Sequence, residues 1–437
     1  MTTTLAPEKA LGAPQPAVHP EAHEGETKRK YRFRSKFLLA CAIFAAMNAC
    51  LTFFTPIPFD PYKFNYHGWA WWTFNELRHT SRVSNVALLG SSTMVSALAG
   101  CDANYLKKGL DLTTHHRSVY FEDSLKKGFS KGDFETFSLA APGQMPSDAY
   151  IALKGMVASA SRPDVVIYGV APRDFIDSTL TAPGDTDAFK YITRIVNIDD
   201  VAQRVFRSPW NKLDWLFQRN IYFYCYGLDM RIAFDEFTEF VFNKILRRPW
   251  SKRPFTWWDR RDLLPNYLPA DLHPEAMMAG PISREQAEGK YTDNTLEYMQ
   301  RYKHPDKNTY KTQMFFLGKI AEFCHKERIE FVVVNMPITM ENIRLLKPGG
   351  YIGYLQGLRD FGLLHRVAVY DLNNFSMYNK KDFHDTVHLN AYGGQKFFDN
   401  LAETLKTDPR MAEIMSMSGE HLAKHKEIAS RPPVPTF

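Results

Sequence analysis

Five short, almost wholly apolar runs recur along this chain with helix-length segments between them, and that alternation restricts the fold more than any other feature. They are NVALLG at 85–90, ETFSLAA at 135–141, DVVIYGV at 164–170, EFVVVNMP at 330–337 and VAVYDL at 367–372. A strand that is apolar at every position needs cover on both faces, which a parallel sheet held between two layers of helices supplies. Helices are predicted over 146–161, 311–327, 340–361 and 391–406, and a further one starts just after Gly90-Ser91-Ser92. The expected fold class is α/β, a three-layer αβα parallel sheet. With 437 residues, 45% of them apolar, the chain can bury a large core.

The ends of the chain read differently. Residues 1–36 are rich in Ala, Pro, Thr and Glu without an apolar period and finish in six Lys/Arg between Lys28 and Lys36, as expected of a disordered basic tail. FLLACAIFAAMNACLTFF, Phe37 to Phe54, is long enough to cross a bilayer, and Pro56 and Pro58 end it. No small-x-small cleavage site is evident, so residues 37–55 read as a transmembrane signal anchor rather than a cleaved signal peptide. Basic residues stay on the cytoplasmic side, which makes this a single-pass membrane protein with its N-terminus cytoplasmic and its C-terminal domain extracytoplasmic.

Between 56 and 84 lies an aromatic juxtamembrane segment. Its HGWAWWTFNEL stretch suits either the lipid headgroup region or a helix capping the main domain. The sheet domain is expected over 85–177 and 311–406, with a C-terminal tail over 407–437. Residues 178–310 break the alternation with aromatic and basic blocks such as WLFQRNIYFYCYGLDM and EFVFNKILRRPW. They read as a helical insertion whose apolar faces pack on the sheet domain, sit on the outer leaflet or meet a membrane partner.

Chemistry-bearing residues gather where the strands end. Serine is a weak nucleophile until an imidazole takes its proton and a carboxylate orients that imidazole. The best source of both is DFHDTVHLNAYGG, where Asp385 precedes His388 by three residues after the last strand. In an open parallel sheet, sites form outside the carboxyl ends of the strands. Ser92 after the first strand, Gly143 after the second and the Asp385/His388 loop after the last therefore belong on one edge, with Ser92 as the candidate nucleophile.

These blocks resemble the SGNH hydrolase superfamily, the GDSL-like esterases. Gly90-Ser91-Ser92 matches the first block with Ser92 in the nucleophile position, Gly143 in FSLAAPGQM matches the second, and Asp385 with His388 matches the last. The resemblance spans roughly 85–177 and 311–405 and implies an SGNH, flavodoxin-like sheet. It also implies a Ser92-His388-Asp385 triad and an oxyanion hole that uses the N–H groups of Ser92 and Gly143. The third block departs: where the family has Gly-x-Asn-Asp, this chain has GVAPRDF, Gly169 to Phe175. Either Arg173 replaces the missing donor, or the hole has only its two backbone N–H groups, or Asn335 leans in from the fourth strand.

Anchor, Gly-Ser-Ser turn and extracytoplasmic Asp-x-x-His together resemble the membrane-anchored SGNH proteins of teichoic acid D-alanylation and exopolysaccharide O-acetylation. That resemblance implies a serine O-acyltransferase or esterase acting on an envelope polysaccharide or related polymer, beside a membrane-bound O-acyltransferase. The alternative is an inactive SGNH-fold binding or scaffold partner of such an acyltransferase. No cofactor and no metal site is expected: no C-x-x-C motif occurs, His115-His116 is an isolated pair, and phosphate-cradling loops are absent. Nucleic acid is not an expected partner, since the basic-aromatic Arg247-Arg248-Pro249-Trp250 and Arg260-Arg261 lie outside the membrane. There an anionic lipid, an acidic polymer or plain solvent satisfies the same charges.

Overall fold

A computed structural model describes residues 35–54, 66–225 (without 131, 160, 181, 182 and 207), 237–247 (without 239), 268–269 and 278–430. The expected tail over 1–34, the linker residues 55–65, Arg248-Pro249-Trp250 and Arg260-Arg261 lie outside them. The chain divides into two units, Met1–Pro56 and Ile57–Phe437. In the first, α1 (Lys36–Phe54) contains an 18-residue window of mean hydropathy 1.8, with none of it buried, and is long and apolar enough to span a membrane.

The second unit is built on five parallel strands: β1 (Val86–Gly90), β2 (Thr136–Ser138), β3 (Val165–Val170), β4 (Glu330–Asn335) and β5 (Ala368–Asp371). Their order is β2-β1-β3-β4-β5, the doubly wound arrangement whose switch point falls beside β1. Side chains alternate between two cores, as strand geometry requires. Ala87, Leu89, Val166, Tyr168, Phe331 and Val333 face one core, Val86, Leu88, Val165, Ile167, Val332 and Val334 the other.

Helices cover both faces. On the first lie α2 (Trp69–His79), α5 (Pro146–Ala158), α6 (Lys307–Glu327) and α7 (Gly350–His365). On the second lie α3 (Ser92–Leu106), α4 (Val119–Gly128), α8 (Ala391–Thr407) and α9 (Pro409–Ser430). The fold is thus an αβα sandwich.

Three expectations need correction, and one open choice is decided. Residues 409–430, expected as part of a tail, form α9, which buries Met411, Met415 and Leu422. Of the two readings of the tryptophan-rich stretch, the helix that caps the main domain is the one the structure has. It forms α2, with Trp72, Phe74 and Leu77 buried and Trp69 Nε1 donating to the Ala140 carbonyl at 2.9 Å. The helix expected over 340–361 splits into Met340–Ile343 and α7, because Pro348 lacks an N–H and Gly349 turns the chain at φ +75. The insertion also contributes strand pairing: Leu268–Pro269 pairs with Tyr66–His67 and Met278–Ala279 with Leu110–Asp111, both antiparallel.

Of the insertion's aromatic and apolar residues, Phe189, Tyr191, Ile192, Val196, Ile198, Val201 and Val205 join the first core. Its early part therefore packs on the sheet domain. Cys101 and Cys324 are buried free thiols. His115 Nε2 lies 2.8 Å from Asp102 Oδ2, and His116 is pushed down to about 4 by burial, opposed by its contact with the Thr113 carbonyl.

Candidate functional site

Ser92 is the first residue of α3, which springs directly from the end of β1. Its N–H is one of the helix-terminal groups without an intrahelical acceptor, and the helix dipole favours negative charge there. His388 stands three residues before α8, whose N-cap Asn390 accepts from the N–H groups of Tyr392 and Gly393 at 3.0 Å. The two helices lie side by side because Gly394 has no side chain: a Cβ there would come within 2.3 Å of the Ala97 carbonyl oxygen. Close packing of α3 on α8 thus brings their N-terminal ends together, and with them Ser92 and His388.

His388 Nε2 lies 2.8 Å from Ser92 Oγ, and His388 Nδ1 lies 2.7 Å from Asp385 Oδ2. The other carboxylate oxygen of Asp385 accepts from the Val387 and His388 amides at 2.8 and 2.9 Å. Burial acts to raise the Asp385 carboxyl, but the hydrogen bond and charge of His388 and these two amides outweigh it, so it lies below the usual carboxylate range. Such a chain holds one tautomer of the imidazole and leaves Nε2 able to take the serine proton. Ser92, Asp385 and His388 are all half-buried, so a reactant has access to them.

The loop that carries Asp385 and His388 is fastened from below. The buried Thr386 carbonyl accepts from Thr339 N and Oγ1 at 3.0 and 2.9 Å, and its hydroxyl accepts from Asn342 Nδ2 at 3.0 Å. Asn294 Oδ1 accepts from both the Thr386 amide and hydroxyl, at 3.1 and 2.6 Å, and Thr292 N donates to the His384 carbonyl at 2.7 Å. None of Thr339, Asn342, Asn294 and Thr386 belongs to a recognisable motif. Thr339 and Asn294 sit just before short helices, Asn342 lies in the helix Met340–Ile343 and Thr386 in a loop, and nothing in the sequence singles them out.

Gly143 lies in the turn Ala141-Pro142-Gly143-Gln144, closed by the Gln144 amide donating to the Ala141 carbonyl at 3.0 Å. Proline followed by a glycine at φ +76 suits a type II turn. The Gln144 side chain ties this turn to β1: its Oε1 accepts from Gly90 N at 3.0 Å while its Nε2 donates to the Leu139 carbonyl at 2.9 Å. The turn therefore stands beside the Gly90-Ser91-Ser92 corner.

Arg173 follows β3 and is buried, 8% exposed. Its Nε pairs with Asp177 Oδ2 at 2.9 Å, and its Nη1, which has no hydrogen-bond partner, lies 3.6 Å from Asp174 Oδ1. The guanidinium faces the Gly143 turn: a Cβ on Gly143 would stand 3.6 Å from Nη2. Burial pushes the Asp174 carboxyl up to about 6 against the pull of Arg173. For Asp177, burial is outweighed by Arg173, Thr179 and Arg301, and its carboxyl falls below the usual range.

Asn335 does not lean toward Ser92. Its Nδ2 donates to Tyr351 Oη at 2.9 Å and to Asp371 Oδ1 at 2.7 Å, and its Oδ1 accepts from Tyr354 Oη at 3.0 Å. Both amide hydrogens are taken, so no donor remains for an oxyanion. Among the described residues no cluster of three or more His, Cys, Asp or Glu is placed to hold a metal ion.

No protein-family model and no curated protein matches this sequence. Among solved structures, one from Bacteroides fragilis, described as a "putative acylhydrolase", aligns over 77% of this chain and 90% of its own at 8% identity and a TM-score of 0.29.

Proposed function

We propose that this chain is a membrane-anchored, extracytoplasmic, SGNH-type serine enzyme that transfers or hydrolyses O-acyl groups on an envelope polysaccharide or related polymer. The observation that carries the reading is the unbroken chain of contacts from Ser92 Oγ through His388 to Asp385 at the carboxyl edge of the sheet. Ser92 Oγ attacks the acyl carbonyl while His388 Nε2 takes its proton, and Asp385 stabilises the imidazolium. The N–H groups of Ser92 and Gly143 receive the developing oxyanion, with the Arg173 guanidinium as the third donor in place of the family's asparagine. Collapse expels the donor's alcohol, protonated by His388. Water or a sugar hydroxyl, deprotonated by the same imidazole, then takes the acyl group and restores Ser92.

Helix α1, with six cations over Lys28–Lys36 at its N-terminal end, supports the anchored topology with the sheet domain outside. A membrane-bound O-acyltransferase delivering the acyl group is the partner this reading expects. The test is labelling of the full chain by a serine-reactive fluorophosphonate. Wild type should label, whereas Ser92→Ala, His388→Ala and the double variant should lose labelling by similar large factors, because such residues act as a unit. Labelling that survives in Ser92→Ala would sink the enzymatic reading and leave the scaffold one.

A further inference from the structure

The hydrogen-bond ladder that joins β1 to the chain leaving β2 is interrupted beside Ser92, and a side chain fills the interruption. Val86 N donates to the Glu135 carbonyl at 3.2 Å, Leu139 N to the Leu88 carbonyl at 2.8 Å and Ala141 N to the Gly90 carbonyl at 3.0 Å, the even alternation of a parallel pair. In that register, which sets Leu88 opposite Ser138, the Gly90 N–H is due to donate to the Leu139 carbonyl. It donates instead to Gln144 Oε1 at 3.0 Å, while Gln144 Nε2 donates to the Leu139 carbonyl at 2.9 Å. One primary amide thus stands in for a backbone bond, accepting on one side and donating on the other.

Both sides of that relay lead into the site. Gly90 ends β1 just ahead of Ser91 and Ser92, and Gln144 directly follows Gly143, so one side chain spaces the two corners that carry the Ser92 and Gly143 N–H groups. Gln144 is itself 2% exposed, so it acts through those corners rather than by touching a reactant. We propose that Gln144 is a positioning residue for acyl chemistry at Ser92: its side-chain amide, inserted between β1 and the segment after β2, sets the separation of the Ser92 and Gly143 N–H groups and so their fit to the oxyanion. The inference rests on the serine-enzyme reading and assigns a residue outside the triad and outside the oxyanion donors. A carboxylate of the same shape accepts from Gly90 but turns an anion toward the Leu139 carbonyl, and an asparagine is one methylene too short to relay between the two.

The full chain in detergent micelles, hydrolysing 4-nitrophenyl acetate above the background of Ser92→Ala, supplies the test. Active sites are counted by the final extent of fluorophosphonate labelling, so misfolded protein drops out of kcat. Gln144→Glu keeps the acceptor for Gly90 and loses the donor; Gln144→Met keeps the length and loses both, and carries the comparison if the first variant does not fold. In each, kcat per labelled site should fall about 10- to 100-fold with KM within about twofold of wild type, because a misplaced donor is felt where charge develops. An amide that only holds the fold together would lower the melting temperature and the number of labelled sites while leaving kcat per site unchanged, and that result would overturn the proposal. Wild type that neither labels nor hydrolyses the ester refutes the serine-enzyme reading and this inference with it, whereas active wild type beside fully active variants refutes only the role of Gln144.

Discussion

Replacing Arg173 with methionine separates a structural guanidinium from one that also serves the reaction. The side chain is buried between Asp174 and Asp177, and removing one partner of a buried pair generally costs about 3–5 kcal/mol. Here the loss is smaller. Asp177 keeps the Arg301 Nη1 contact at 2.6 Å, and Asp174, whose carboxyl burial already lifts to about 6, takes up a proton once its cation is gone. A loss of about 2 kcal/mol is expected near pH 8, shrinking toward pH 5.5, where Asp174 is largely protonated in both proteins. Turnover behaves differently. If Arg173 donates to the oxyanion, its removal lowers kcat on the order of 100-fold with little change in KM, because the donor acts where charge develops. Thermal melts across pH and hydrolysis of 4-nitrophenyl acetate, measured well below both melting points, read the two effects separately. Arg173→Lys is the control: it keeps the charge without the planar fork, and should recover stability more than turnover. A variant that melts lower yet turns over within about twofold of wild type would refute the oxyanion role.

Gly394→Ala places a Cβ within 2.3 Å of the Ala97 carbonyl, so α8 must move off α3 and carry His388 away from Ser92. A displacement of about 1 Å there should lower esterase turnover on the order of 100-fold, for about 1–3 kcal/mol of stability; full turnover would show that the helix contact does not set the Ser92 to His388 distance. Asp148→Asn tests a buried carboxyl that burial raises to about 7, against its hydrogen bonds from Thr186 and the Met145 amide. A group protonated more readily in the folded state costs stability as pH rises from about 4 through about 7, so the variant should gain on wild type in melts between pH 5 and pH 8. A stability difference that is flat over that range would contradict the assignment.

The strands were legible because a doubly covered strand must be apolar throughout, and all five runs lie in the parallel sheet. The Asp385 and His388 contact is also local, a three-residue spacing in one turn. Their meeting with Ser92, 296 residues away, is nonlocal, and the end-of-strand rule foresaw it only as a shared edge. The same rule overreached at Asn335. That residue does end a strand on this edge, but β4 is separated from β1 by β3, and its nearer neighbours Asp371 and Tyr351 take its amide. The tryptophans of α2 left two readings open for another reason: a membrane headgroup region and a protein core both accept an amphipathic aromatic, and composition does not distinguish them. The fastening of Thr386 by Thr339, Asn342 and Asn294 left no trace, since hydrogen bonds between segments distant in sequence impose no period.

What that fastening does becomes plain from where the insertion begins and ends. Ser178, its first residue, donates from its amide to the Arg301 carbonyl at 2.8 Å and from its hydroxyl to the Gln300 carbonyl at 2.7 Å. The excursion therefore leaves and returns at one point. That point is Asp177, which holds Arg301 at 2.6 Å and Arg173 at 2.9 Å through the same Oδ2. On its way back the chain also grips the His388 loop through Thr292 and Asn294. The root of the insertion is thus part of the framework that sets Arg173 beside the Gly143 turn and His388 beside Ser92.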